Sequence, residues 1–340
     1  MQTHRRRFRD AAHLRLPLLA ALLGLTVSCR SMSAPVRKTS PPMSPLPSST
    51  KSDQTVTLSS GRKLGFAEYG DPTGTPLFYF HGWPSSRTQG ALLDDLGKEF
   101  GLRVISPDRP GLGLSDFQKD RTLLDWPPVL AELAEHLGVE KFHLMGVSGG
   151  GPYVLVTSHA MPDRVLSASV VCGAPPLKIV GTSHLIWTYR LALWGQRYTP
   201  ALLGPGLAFS ALLLRLPQDS LPMRAYVSKL PPRDQEALRV PRNSQIIMGS
   251  GRVGLESGSR AMTTDGNIYN SDWGFELETV TTPIAYWHGS RDLNIPAETV
   301  AGFVSRIPNA RFTLVKEEGH YSLPLLCTRE ILLDQLGMKP

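Results

Sequence analysis

Cysteine is scarce, three among 340 residues, and no Cys-x-x-Cys or His-Glu-x-x-His spacing occurs. The nine histidines are scattered. A metal centre built on such ligands is therefore not expected. Cys172 lies in an apolar, strand-like run and Cys327 in a C-terminal helical run, and both read as buried thiols. Spacing alone does not define whether they pair. No lysine stands in Walker position, and no Gly-x-Gly-x-x-Gly opens a helix, so nothing marks a nucleotide-phosphate site or another cofactor. Long hydrophobic runs are missing as well. Residues 16–27 are apolar but too short for a bilayer, and residues 201–214 are short and interrupted by Gly204-Pro205-Gly206.

The folded part also lacks an excess of one charge. Net charge is +7, but residues 1–28 carry +4 and residues 29–52 another +4, which leaves −1 for the remainder. A near-neutral domain argues against nucleic acid as the partner.

The basic N-terminus has a meaning of its own. Arg5-Arg6-Arg7-Phe8-Arg9 precedes the apolar stretch 16–27, and Ser28-Cys29 follows it. This is the layout of an export signal over residues 1–29. Cys29 resembles the lipidated cysteine of a bacterial lipoprotein cleavage site, although Thr26 stands where a bulky aliphatic is usual. Arg5-Arg6 resembles a twin-arginine signal without its upstream hydroxyl residue. Residues 30–52 alternate Pro35, Pro41, Pro42, Pro45 and Pro47 with serine and threonine, the composition of an extended linker. The expectation is an exported protein of the cell envelope, held at the membrane through Cys29 or secreted.

From Gln54 the texture changes. Residues 54–58 and 64–69 alternate with period two around Ser60-Gly61 and predict an antiparallel hairpin. Residues 76–80 are continuously apolar, as in a strand buried on both faces. Strand-like runs at 104–107, 142–145, 165–172, 283–288 and 311–315 then alternate with helical ones at 92–100, 123–137, 153–161 and 298–306. This rhythm predicts an α/β fold with a mostly parallel sheet, about eight strands, and helices on both faces. Functional sites in such sheets lie at the carboxyl ends of the strands.

One strand end stands out: Met145-Gly146-Val147-Ser148-Gly149-Gly150-Gly151. A strand-to-helix turn holding a serine outward strains the serine backbone and leaves no room beside it, so the neighbours must be glycine. The alternative is a glycine-rich turn whose serine only caps the helix. The frame Gly146-x-Ser148-x-Gly150 resembles the nucleophile elbow of the α/β-hydrolase family. The resemblance extends over about residues 54–336. His81-Gly82-Trp83-Pro84 matches the family's His-Gly-x-Pro segment, which implies an oxyanion hole from the backbone N–H groups of Trp83 and Gly149. Asp108–Ser115 matches its Asp-x-Pro-Gly-x-Gly-x-Ser loop, where Asp108 and Arg109 read as loop-stabilising polar groups. Asp292, after the strand at 283–288, takes the position of the triad acid. His320, after the strand at 311–315, takes that of the general base. The order Ser148, Asp292, His320 is the family's order.

The resemblance implies a core formed by residues 53–176 and 283–340, and a helical cap over residues 177–282. In the cap, helical runs are expected at 185–197, 202–216, 223–229 and 233–238, whereas the polar stretch 261–274 has no assignable structure. Trp187, Tyr189, Trp194, Tyr198 and Phe209 either line a lipophilic pocket or pack the cap onto the core. The implied activity is serine hydrolysis of a carboxylic ester through an acyl-enzyme, on a small, apolar acyl substrate. A second reading is another acyl bond: a lactone, a C–C bond beside a ketone, or an N-terminal peptide bond. The last requires cap acids facing the substrate amine, for which Asp219, Asp234 and Glu236 are available. A third is a hydrolase fold reused for binding.

Overall fold

The expected hairpin forms the edge of the sheet: β1 (Gln54–Thr57) pairs antiparallel with β2 (Lys63–Gly70), with Val56 opposite Leu64. The computed structural model describes residues 52–185 and 187–338. The export signal, Cys29 and all but the end of the linker lie outside the described residues. Six further strands follow: β3 (Thr75–Phe80), β4 (Leu102–Pro107), β5 (Phe142–Val147), β6 (Val165–Val171), β7 (Ile284–Gly289) and β8 (Ala310–Val315). The eight lie in the order β1-β2-β4-β3-β5-β6-β7-β8. β2 meets β4 antiparallel, and every pair from β4 to β8 is parallel.

The central strands are apolar on both faces because helices cover both. Successive side chains of a strand point to opposite sides. Phe78, Phe80, Phe142 and Leu144 face one layer with Trp126, Leu130 and Tyr153. Leu77, Tyr79, Met145 and Val147 face the other with Leu93, Ile331 and Leu332. The helices of these layers include α1 (Asp94–Phe100), α2 (Trp126–His136) and α3 (Gly151–Ala160). Thr122 and Asp125 form a capping box in the short turn leading into α2, which carries proline in its first turn.

Between β6 and β7 the chain makes a helical insertion: α4 (Leu177–Val180), α5 (Trp187–Tyr198), α6 (Pro200–Leu213), α7 (Leu221–Val227), α8 (Pro232–Arg239), α9 (Pro241–Glu256) and α10 (Ser259–Asn270). After β7 come α11 (Ala297–Val304), β8, α12 (Ser322–Leu326) and α13 (Thr328–Gln335). Two readings are corrected here. Gly204-Pro205-Gly206 does not break the helix, because Pro205 lies inside α6. A proline there removes one backbone donor, which the rest of the helix tolerates. The stretch 261–274 is mostly helical: Ala261, Met262, Asp265, Ile268 and Tyr269 form the buried face of α10. Hydropathy hid that face because one of its members is an aspartate. A further helix, α9, was not read from the sequence at all. Its buried face is Asn243, Ser244, Ser250, Gly251 and Gly254 beside Ile246 and Leu255, small or polar rather than apolar. Cys327 sits between α12 and α13, half-buried, and both it and Cys172 are free thiols. Among the described residues, no helix is long and apolar enough to cross a membrane.

Candidate active site

The turn after β5 holds the serine as the glycine pattern requires. Ser148 has φ of +52°, a left-handed conformation rare for a residue with a β-carbon. The tight packing behind it is visible at Gly150, where an added β-carbon would lie 2.0 Å from the carbonyl oxygen of Phe80. Three strand ends then supply three side chains. Ser148 Oγ–H donates to His320 Nε2 at 3.0 Å, and His320 Nδ1–H donates to Asp292 Oδ2 at 2.7 Å. Asp292 is oriented in turn, because its Oδ1 accepts the backbone N–H groups of Asn294 and Ile295, each at 2.9 Å. All three side chains are buried. The structure therefore brings Ser148, Asp292 and His320 together in one hydrogen-bonded chain.

Electrostatics follow from that burial. Burial opposes the charged form of His320, but the charge and hydrogen bond of Asp292, with help from Asp234, outweigh it and hold the imidazole pKa above its ordinary value. Burial likewise opposes ionisation of Asp292, yet His320 and the backbone donors keep that carboxyl below its usual range. His288, packed close by at 3.5 Å from Asp292, donates through Nε2 to the carbonyl of Ile295. Burial pushes its pKa down, so it is neutral at physiological pH.

Trp83 and Gly149 meet beside the serine. An added β-carbon on Gly149 would lie 2.8 Å from Trp83 Cβ and 2.5 Å from Tyr269 Oη. Gly82, just before Trp83, faces Ser148. Asp108 and Arg109 are buried loop ties, as expected. Asp108 binds Arg87 and the N–H of Leu114. Arg109 binds the carbonyls of His81 and Gly82 together with Asp265.

A cavity of about 160 Å³ opens onto Ser148. Its wall includes Trp83, Leu185, Tyr189, Leu207, Met262 and Ile295, and among the described residues no charged side chain lines it. Of the aromatic residues named from sequence, Tyr189 lines the cavity and packs edge-on against Trp83, 6.1 Å between ring centres. Trp194, Tyr198 and Phe209 are exposed instead. The side chain of Trp187 lies outside the described residues. The three acids weighed from sequence do not face the cavity. Asp234 accepts the N–H groups of Tyr321 and Ser322 beneath the His320 loop, Glu236 pairs with Arg233 on the surface, and Asp219 is exposed.

The ligand atoms of Cys172, Asp292 and His320 lie within 4.8 Å of one another. Burial and the Asp292 charge push the Cys172 thiol well above its ordinary pKa, and His320 Nδ1 already binds Asp292. A metal would need a thiolate and a free imidazole nitrogen, so the group is better suited to holding protons than a cation.

A family model described as alpha/beta hydrolase fold matches residues 75–325. The chain belongs to that family. Among α/β-hydrolase relatives, a proline iminopeptidase of Lactobacillus delbrueckii subsp. bulgaricus is 26% identical over 266 residues, 72% of this chain and 83% of the relative. In solved structures the same fold recurs in a hydrolase from Pseudomonas aeruginosa PA01, with TM-score 0.62 and 17% identity, covering 84% of this chain and 98% of that one. It recurs also in a thermophilic esterase from Thermogutta terrifontis, with TM-score 0.57 and 22% identity over the same shares. Within the α/β-hydrolase site of this chain, sequence reasoning missed Asp265, Tyr269 and Cys172 as neighbours of the core loops. Their partners lie far away along the chain, and no local motif marks them.

Proposed function

We propose that this chain is a serine hydrolase that cleaves carboxylic esters with an apolar acyl or alcohol group. The reading rests on one observation: the Ser148–His320–Asp292 hydrogen-bond chain ends at the mouth of an apolar cavity that, among the described residues, no charged side chain lines. His320 takes the Ser148 proton as Oγ attacks the ester carbonyl, then gives it to the leaving alkoxide. Asp292 stabilises the imidazolium and fixes its tautomer. The backbone N–H groups of Trp83 and Gly149 meet the oxyanion, and losing one such donor costs about 3 kcal/mol of barrier. Water then attacks the acyl-enzyme by the same steps. The insertion acts as a cap whose α5, α6 and α10 set the shape of the cavity. Export through the N-terminal signal, with Cys29 as a lipid anchor, places this activity at the cell envelope in the same reading.

The test is Ser148→Ala assayed on p-nitrophenyl esters. Turnover is expected to fall by at least about 10³-fold with the melting temperature retained. Wild-type turnover in a folded Ser148→Ala protein ends the proposal. The iminopeptidase relative gives a second reading, cleavage of an N-terminal aminoacyl bond. That reaction needs a carboxylate for the substrate amine, and of the three acids weighed from sequence Asp234 alone is buried. Its Oδ1 is already engaged by two backbone donors. Efficient release of p-nitroaniline from a prolyl anilide would favour that reading over the ester.

A further inference from the structure

Asp265 and Tyr269 stand one helical turn apart on α10, and both reach the two loops that flank Ser148. Asp265 Oδ2 accepts from Arg109 Nε at 2.7 Å. Arg109, 1% exposed, spends its other nitrogens on backbone: Nη1 donates to the carbonyl of His81 at 2.7 Å and Nη2 to that of Gly82 at 2.9 Å. His81 Nδ1 also lies 2.9 Å from the Gly82 carbonyl, which can only accept, so that nitrogen carries the proton. The Gly82 oxygen is thus held by two donors. On the other loop, the carbonyl of Ser148 accepts from Ala174 N at 2.9 Å and that of Gly149 from Tyr269 Oη at 3.1 Å.

A trans peptide is planar, and its C=O and N–H point in opposite directions. Fixing the Gly82 carbonyl therefore fixes the Trp83 N–H, and fixing the Ser148 carbonyl fixes the Gly149 N–H. These are the two donors of the oxyanion hole in the ester-hydrolase reading. We infer that Arg109, anchored by Asp265 on α10, is a positioning residue that aims the Trp83 N–H at the transition-state oxyanion, an inference that rests on that reading. The guanidinium suits the task because its fork reaches two carbonyls at once. Tyr153, whose ring lies 5.0 Å from the guanidinium, closes the other side, and Arg121 shares the Asp265 carboxylate. The clamp hangs from the insertion, so the element that shapes the cavity also holds the backbone that performs the chemistry.

The same ion pair would fasten α10 to the core even without any effect on the reaction. The experiment separates the two with paired substrates, an ester and the thionoester in which sulfur replaces the carbonyl oxygen. An aimed N–H favours the compact oxyanion, so a loosened hole loses rate on the ester more than on the thionoester. Arg109→Met and Arg109→Lys are assayed beside Ser148→Ala, with folding checked by thermal melting. Lysine keeps a positive charge for Asp265 but cannot fork, so Arg109→Lys remains informative even if Arg109→Met unfolds. The expected result for a folded Arg109 variant is a fall in kcat of about 10- to 100-fold, KM within about twofold, and a smaller ester-to-thionoester ratio. An unchanged ratio in Arg109→Lys overturns the clamp alone. Retained turnover in Ser148→Ala overturns both the clamp and the reading beneath it.

Discussion

Asp292 and His320 are each held twice beside Ser148. Asp292 takes His320 on one oxygen and two backbone N–H groups on the other. His320 is held by Asp292 and by the loop that carries it, which hangs from Asp234 through the N–H groups of Tyr321 and Ser322 at 3.1 and 2.7 Å. Asp234 also favours the imidazolium by its charge. The sign of the pH dependence follows. In the proposed reading the active base is neutral His320, and its raised pKa places the acid limb of kcat/KM above the ordinary histidine value of about 6.5. Asp234→Asn removes a charge that favours protonation, so the limb moves to lower pH. A pH profile of kcat/KM on a p-nitrophenyl ester measures this, and a limb shifted upward in that variant would contradict it. Ser148, Asp292 and His320 were legible in the sequence because their signals are local: a glycine frame, a strand end, a following turn. Asp234 and Asp265 were not, because each acts on a partner remote in sequence, Asp265 lying 156 positions from Arg109.

Among the elements, the strands declared themselves most clearly. A strand covered on both faces is driven to be mostly apolar, as β3 and β5 are apart from Thr75 and His143. Of the insertion helices, α9 and α10 escaped notice: glycine, serine and asparagine make up most of the buried face of α9, and α10 lies in a stretch whose overall polarity masks its buried residues. Gly254 of α9 packs so tightly on Ser85 that an added β-carbon would lie 2.5 Å from its carbonyl oxygen. Close helix contact of this kind needs small residues, which carry little hydrophobic signal. α6 brings Leu207 to the cavity wall. Leu207→Trp is expected to fill part of the roughly 160 Å³ space and move the preferred acyl chain of p-nitrophenyl esters to shorter lengths. An unchanged chain-length profile would place the acyl group elsewhere.

For the whole molecule, the boundary between tail and domain is written in hydrogen bonds. Arg87 Nε donates to the carbonyl of Ser52 at 3.0 Å, and the same guanidinium pairs with Asp53 and Asp108. The domain thus takes hold of the chain at its first described residues. Removal of residues 1–51 is expected to leave ester turnover intact and shift the melting temperature by less than about 2 °C. A large loss in either would give the tail a part in the fold. The βαβ rhythm predicted the parallel sheet because each crossover carries its own periodicity. The route of the chain through the insertion was hidden, since helix-to-helix packing there relies on contacts that no short pattern encodes.

Gly319 sits against the carboxylate of Asp234, where an added β-carbon would lie 2.4 Å from Oδ1. The two positions are therefore expected to be tied in evolution as they are in space. A lineage that keeps the acid must keep glycine before its histidine, whereas one that trades the acid for a smaller neutral residue is released from that constraint. Acid and glycine should accordingly be inherited or lost as a pair, a signature that comparison of descendants can read without any assay.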